Sequence, residues 1–308
     1  MSLILAWVGG SLKANRKSPE IVSLTAYTFL LAAFLTPTDL LAETISGNIT
    51  SDTTWGNTNE AYVINGTVQV AFGTTLTINS GVTVQGGTLE DFGTISIKGS
   101  SSSIVTFEDT ALRWGINEPN EPGLIEMDYC LFNGGKLLDA TGYARYGGIQ
   151  INHSFITNAP MIYLWYPETD IAIDNSVFHE TGGISAGARG RVISLKNNVF
   201  VRQTTDPGPA FEIWADYDGT TVTVSKNSFM STDRIALGLK YSASFPGSAI
   251  ENYWNTNDQS VIESMILDSN DDLSLKDEIL YQPYLTEHDA DTVTVINQWS
   301  AYIDFDGD

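Results

Sequence analysis

Along most of the chain, apolar and polar residues alternate in short runs, and the runs recur. Ile125, Ile149, Ile171, Ile193 and Val222 each open one. A second apolar residue stands two positions later each time: Met127, Ile151, Ile173, Leu195 and Val224. Five positions after each start comes a small residue, Cys130, Ser154, Ser176, Asn198 or Asn227. Seven after comes a large apolar one, Phe132, Ile156, Phe178, Phe200 or Phe229. Asn252 and Trp254 extend both columns, and successive spacings are 24, 22, 22, 29 and 25 residues. Alternation with period two predicts strands. A repeat of this length predicts a solenoid. Further strands precede the starts, in "MIYLWY", "GGISAGA", "AFEIWADY" and "RIALGLKY". One repeat is then one coil, stacked on the next at about 4.8 Å through parallel hydrogen bonds. The large apolar column becomes a stack of core side chains. The small polar column becomes a ladder of turns, where Asn and Ser bond their own backbone and tolerate strained φ/ψ.

The segments "YVINGTVQV", "TTLTINSGVTVQ", "GTISIKG" and "SIVTFED" carry the same alternation in shorter pieces. No regular alternation of strand and helix appears. One helix is expected in "DQSVIESMIL", with Asp258 as its N-cap and Val261, Ile262, Met265 and Ile266 on one face. It follows the last coil, where a solenoid needs a lid over its open rung.

Two stretches carry a family resemblance. "ITSDTTW", "YVINGTVQV" and "GTTLTINSGVTVQ" resemble the opening of bacterial right-handed parallel β-helix proteins of the pectin-lyase-like superfamily. "NYWNTND", "ILDSNDD" and "YQPYL" resemble their C-terminal closure. The resemblance spans Ile49 to Leu285. It implies an all-β fold, a right-handed parallel β-helix with a short helix-containing C-terminal closure. It says little about function, because the superfamily holds polysaccharide lyases, hydrolases, adhesins and inert passengers.

Charge narrows the partners. The 308 residues hold 37 acidic and 15 basic side chains, a formal net charge of −22. Such a surface repels nucleic acid and anionic lipid. Cys130 is the one cysteine, so an intrachain disulfide is excluded. At the N-terminus, Lys13, Arg16 and Lys17 precede the apolar run Ile21 to Leu35, which reads as a signal peptide with cleavage after Ala42. The expected organisation is a signal peptide at 1–42, a β-helix domain with its closure at 43–285, and an acidic tail at 286–308 that reads as the start of a truncated module. The mature chain is then secreted or held at a bacterial cell surface, with no membrane insertion.

Candidate chemistry lies on the outward positions. Alternation in "MIYLWYPETD" turns Tyr163 and Trp165 to solvent, and in "AFEIWADYDG" it turns Glu212, Trp214 and Asp216 outward. Counted back from the strand starts, Tyr163 and Trp214 take one place two coils apart, about 9.6 Å, a spacing suited to stacking sugar rings. Scattered surface aromatics are the plainer reading. The following turn collects Glu168 and Asp170, Arg189 and Arg191, and Asp216 and Asp218 on successive coils. Lyases of the resembled superfamily abstract a proton with a basic side chain, which makes Arg189, Arg191, Asp216 and Asp218 the catalytic candidates. A salt-bridge ladder between coils is the plainer account, since arginine is a poor general base. A hydrolase would need two carboxylates roughly 5 to 9.5 Å apart. Alternate acids in "DSNDD" (Asp268, Asn270, Asp272) and "DFDGD" (Asp304, Asp306, Asp308) are oxygen-rich loops of the kind that bind Ca2+. No cofactor is required. The expected role is a non-catalytic module that binds carbohydrate or a surface protein along the aromatic strip of Tyr163, Trp165, Glu212 and Trp214. The alternatives are a polysaccharide lyase or glycoside hydrolase, and a structural passenger of a surface assembly.

Overall fold

A computed structural model of the protein describes residues 41–118, 120–138, 145–187, 190–202, 208–215, 219–241 and 243–303. Residues 1–40, most of the expected signal peptide, lie outside them, as do the candidates Arg189, Asp216, Asp218, Asp304, Asp306 and Asp308. The rest of the chain winds into a parallel β-helix. All strand pairs outside isolated bridges are parallel and join successive coils.

Three faces run along it. The first is a nine-stranded sheet that includes Thr75–Asn79, Thr94–Lys98, Leu124–Asp128, Gly148–Asn152, Ile171–Asp174, Val192–Lys196 and Thr221–Ser225. Its register aligns Leu76, Ile95, Ile125 and Ile149, then Ile171, Ile193 and Val222, as the strand starts predict. The second face includes Val105–Glu108, Cys130–Asn133, Phe155–Thr157, Val177–His179, Val199–Val201 and Ser228–Phe229. The third is a five-stranded sheet of Ile162–Trp165, Ile184–Gly187, Phe211–Ala215, Leu237–Leu239 and Ile266–Leu267. In the first coils the third face merges with the second through the long strand Glu60–Val70, which pairs onto both.

The core is the stack of inward side chains. Phe132, Ile156, Phe178, Phe200 and Phe229 are in register and buried. Ring centroids lie 5.0 Å apart for Phe178 and Phe200, 5.3 Å for Phe200 and Phe229, and 5.0 Å for Phe229 and Trp254. Interplanar angles of 12° and 17° make the first two contacts stacked. Phe107, 5.8 Å from Phe132, adds a rung below.

The polar column forms a ladder, but not quite the one expected. Each side chain accepts the backbone N–H of the rung before it: Cys130 N to Ser154 Oγ at 3.2 Å, Ser154 N to Ser176 Oγ at 3.0 Å, and Ser176 N to Asn198 Oδ1 at 3.1 Å. Asn198 N to Asn227 Oδ1 at 2.9 Å and Asn227 N to Asn252 Oδ1 at 3.0 Å complete it. Ser154 and Ser176 also donate to the carbonyls two residues back, the local bond the residue types predict. The strained backbone falls one position earlier, at Tyr129, His153, Asn175, Asn197, Lys226 and Glu251, all with φ between 46° and 58°. The ladder residue must point inward to bond its neighbour, so the reversal of chain direction is taken up by the residue before it.

At the C-terminal end, α1 (Gln259–Ser264) has Asp258 as N-cap, its side chain accepting from Ser260 N. Ile262 and Met265 are buried beneath it, and Ile266–Leu267 adds the last strand of the third face. The segment read as an acidic tail is structured up to residue 303. Helix α2 (Ala290–Trp299) docks against the outside of the second face. There Trp299 and Val295 join Phe155, Val177, Val199 and Val201 in a separate small core. Lys226 Nζ to Asp289 at 3.2 Å and Thr292 Oγ1 to Lys226 O at 2.7 Å hold its first turn. No helix among the described residues is long and apolar enough to cross a membrane.

Candidate functional site, an aromatic corner

Where the third face turns toward the first, aromatic rings from several coils meet. Trp165 ends the strand Ile162–Trp165, and Tyr166 takes the corner with φ 50°. Tyr146, φ 60°, stands at the matching corner one coil earlier. Trp214 comes from the strand Phe211–Ala215 two coils later. Trp165 and Trp214 ring centroids are 6.1 Å apart, Tyr166 and Trp214 5.6 Å, and Tyr146 and Tyr166 6.3 Å. The rings are tilted against each other, by 57° and 64° at the two Trp214 contacts, an edge-to-face packing that favours aromatic pairs. All four are half-buried. The Arg145 guanidinium lies 4.9 Å over the Tyr146 ring.

A glycine and a bulge explain how Trp214 gets there. The strands Ile184–Gly187 and Phe211–Ala215 pair Ile184, Ser185 and Ala186 with Phe211, Glu212 and Ile213, then slip so that Gly187 faces Ala215. Trp214 is the extra residue, and its ring lies over Gly187, where a Cβ would overlap the indole. Any other residue at 187 would push the ring away. The same slip changes the expected column. Tyr163 is followed by Ser185 and then by Glu212, not by Trp214. Trp214 instead meets Trp165. The bulge adds one residue, and the stretch from Ala215 to Thr221 is one longer than that from Gly187 to Val192, so counting back from the next strand start misplaces the column by two.

Glu212 is not on the surface either. It is 4% exposed, accepts from Ser185 Oγ at 2.6 Å, and lies 3.6 Å from Lys240 Nζ. A carboxylate facing out of this sheet covers itself with a hydroxyl from the coil below and an ammonium from the coil above. Tyr163 remains half-buried.

In the charged turn, Arg191 Nη2 is 3.0 Å from Glu168 Oε2, and Asp170 Oδ1 accepts Val192 N at 2.9 Å. Arg191 is thus held in an ion pair between coils. The candidate acids at the closure are also engaged. Asp268 Oδ1 accepts Asn270 N at 2.8 Å and its Oδ2 accepts Ile279 N at 2.8 Å. Asp272 Oδ1 accepts Ser274 N at 2.9 Å, a bond that holds its carboxyl below the usual range. Asp268 and Asp271 line a cavity of about 370 Å³ with Glu263, Glu278 and Tyr281. No group of three or more His, Cys, Asp or Glu among the described residues is placed to hold a metal ion.

Tyr146 and Tyr166 belong to the aromatic corner and were not among the residues selected by alternation. Tyr166 stands one step past a strand and Tyr146 on no strand, so a period-two count passes over both. Their positive φ does not mark them either, since many corners of this coil share it.

No protein-family model matches the chain, and no curated protein or solved structure shows a significant match to it. Fold and corner together define the molecule as a parallel β-helix protein with an aromatic cluster on one edge.

Proposed function

We propose that this chain is an exported, non-catalytic β-helix module of the pectin-lyase-like kind, and that it binds carbohydrate at the aromatic corner. The observation that supports this is the convergence of Tyr146, Trp165, Tyr166 and Trp214, half-buried rings from three coils, at one edge of a strongly acidic protein. Half-exposed rings offer apolar faces to the C–H side of a sugar. The neighbouring Arg191, its side chain 42% exposed, offers hydrogen bonds to its hydroxyls. The engagement of Arg191 with Glu168, and the burial of Glu212 between Ser185 and Lys240, weigh against the lyase and hydrolase alternatives. The reading requires no cofactor.

A glycan array with wild type and Trp214→Ala tests it. Binding by the wild type that falls at least tenfold in the variant is the expected result. No glycan signal, or one indifferent to the mutation, removes the proposal. Incubation with pectin, alginate and neutral glucans, followed by ultraviolet absorbance for unsaturated products and by reducing ends, tests for catalysis. Turnover in either assay would replace the binding role by an enzymatic one.

A further inference from the structure

We propose that the aromatic corner is one end of a longer strip, and that the strip takes an extended, uncharged polysaccharide chain lying along the solenoid axis; this rests on the carbohydrate reading above. The strand register carries the inference. Val70, Asp91 and Trp114 are aligned partners on three successive coils, which puts Ala71, Phe92 and Gly115 in one column at this same corner. Phe72 and Ile116 stand one residue past that column and are 60% and 56% exposed. The Phe92 ring lies over Gly115, where a Cβ would overlap it, just as Trp214 lies over Gly187 two coils from Trp165's own neighbour Tyr146. Ile116 pairs with Arg145, and Tyr146, the next residue along the chain, meets Tyr166, which meets Trp214. Phe72, Phe92, Ile116, Tyr146, Tyr166 and Trp214 therefore sit on six of seven successive coils, and span about 29 Å at ~4.8 Å per coil. One apolar residue per coil is close to one per sugar in an extended glycan.

Charge selects the kind of chain. Acidic and basic side chains beside the strip stand in pairs: Glu90 with Arg113 at 3.1 Å, Glu168 with Arg191 at 3.0 Å, and Glu212 with Lys240 at 3.6 Å. Glu118 and Glu121, on the loop after Ile116, add negative charge. With a net charge of −22 behind it, this face repels a polyuronate or sulfated glycan and leaves an uncharged chain as the complementary ligand.

The test is calorimetric titration with linear neutral oligosaccharides, from disaccharide to octasaccharide, in the gluco-, xylo- and manno-series, with polygalacturonate as the anionic comparison. Affinity should rise with length to about a hexasaccharide and then level, one unit per coil of the strip. Phe72→Ala and Ile116→Ser should weaken the longest ligands by about five- to tenfold and leave the disaccharide unchanged. Both side chains are exposed, so folding is not at stake, and matching melting curves check this. Binding that ignores length and both substitutions overturns the strip while leaving the carbohydrate proposal standing. So does preference for polygalacturonate. No binding to any glycan overturns both.

Discussion

Replacing Asn227 with alanine should cost the protein about 3–5 kcal/mol. The side chain is fully buried in the ladder. Its Oδ1 accepts Asn198 N and Asn198 Nδ2, each at 2.9 Å, and its Nδ2 donates to Leu195 O at 2.9 Å and Asn252 Oδ1 at 3.0 Å. Alanine strands the Asn198 backbone N–H in the core without a partner, at about 1–3 kcal/mol. Asn198 Nδ2 keeps Ile173 O at 2.6 Å, and Asn252 Oδ1 keeps Asn227 N. The three remaining lost bonds add about 0.5–1.5 kcal/mol each, and the middle values of these ranges sum to about 5 kcal/mol, the upper end of the stated range. Asn227→Ser should cost much less, about 1–2 kcal/mol, because a hydroxyl can accept the Asn198 N–H as Ser176 Oγ accepts Ser154 N. Urea unfolding read by far-ultraviolet dichroism and by tryptophan fluorescence measures both. Coincident transitions license the comparison, since stacked repeats do not always unfold as one unit. An alanine variant within about 1 kcal/mol of wild type, or a serine variant as damaged as the alanine one, would show that the ladder does not hold the coils in the way its geometry implies.

Three further outcomes are expected. Trp299→Ala should release α2 from the second face, because the indole packs 5.4 Å from Phe155 and is 1% exposed; faster proteolysis near residue 288 and increased dye binding, with the β-sheet spectrum retained, would report it, and wild-type protease resistance would contradict it. Burial holds the Asp91 carboxyl well above the ordinary carboxylate range, against the lowering influence of its bond from Gly93 N. The native state then keeps a proton that the unfolded chain loses above pH ~4, so stability falls as pH rises from there toward the raised value. Asp91→Asn should flatten that slope and raise stability at neutral pH, read as the urea midpoint from pH 4 upward; an unchanged slope counts against it. Burial likewise pushes the Cys130 thiol far up, so a thiol reagent should modify it only after unfolding, and prompt labelling of the native protein would contradict its place in the core.

Much of this architecture is present in the residue pattern because a parallel coil repeats one environment. The same inward position faces the same neighbour on every turn, so Phe178, Phe200 and Phe229 recur, and their register follows from their spacing. Asn198, Asn227 and Asn252 recur for the same reason, and Asp258 caps α1 as its sequence context predicts. What escaped the pattern are the places where the repeat is broken or overridden. The bulge at Ala186 and Gly187, with the longer stretch from Ala215 to Thr221, moves Trp214 off the column of Tyr163, and a count from the strand starts cannot register these two extra residues. Glu212 is buried by partners on two other coils, Ser185 and Lys240, which no local pattern brings together. The run Thr292 to Ile296 alternates like a strand, yet it forms helix α2. Its Asp289 cap and the burial of Thr292, Val295 and Trp299 on the apolar outer face outweigh the β-branched preference. The sequence by itself therefore determined the coil, its core stack and its polar ladder, all of which depend on contacts repeated at nearly constant separation. Only the tertiary structure decided which rings meet at the corner and what covers the second face, because those contacts depend on a bulge and on a docked helix that the period of the repeat does not specify.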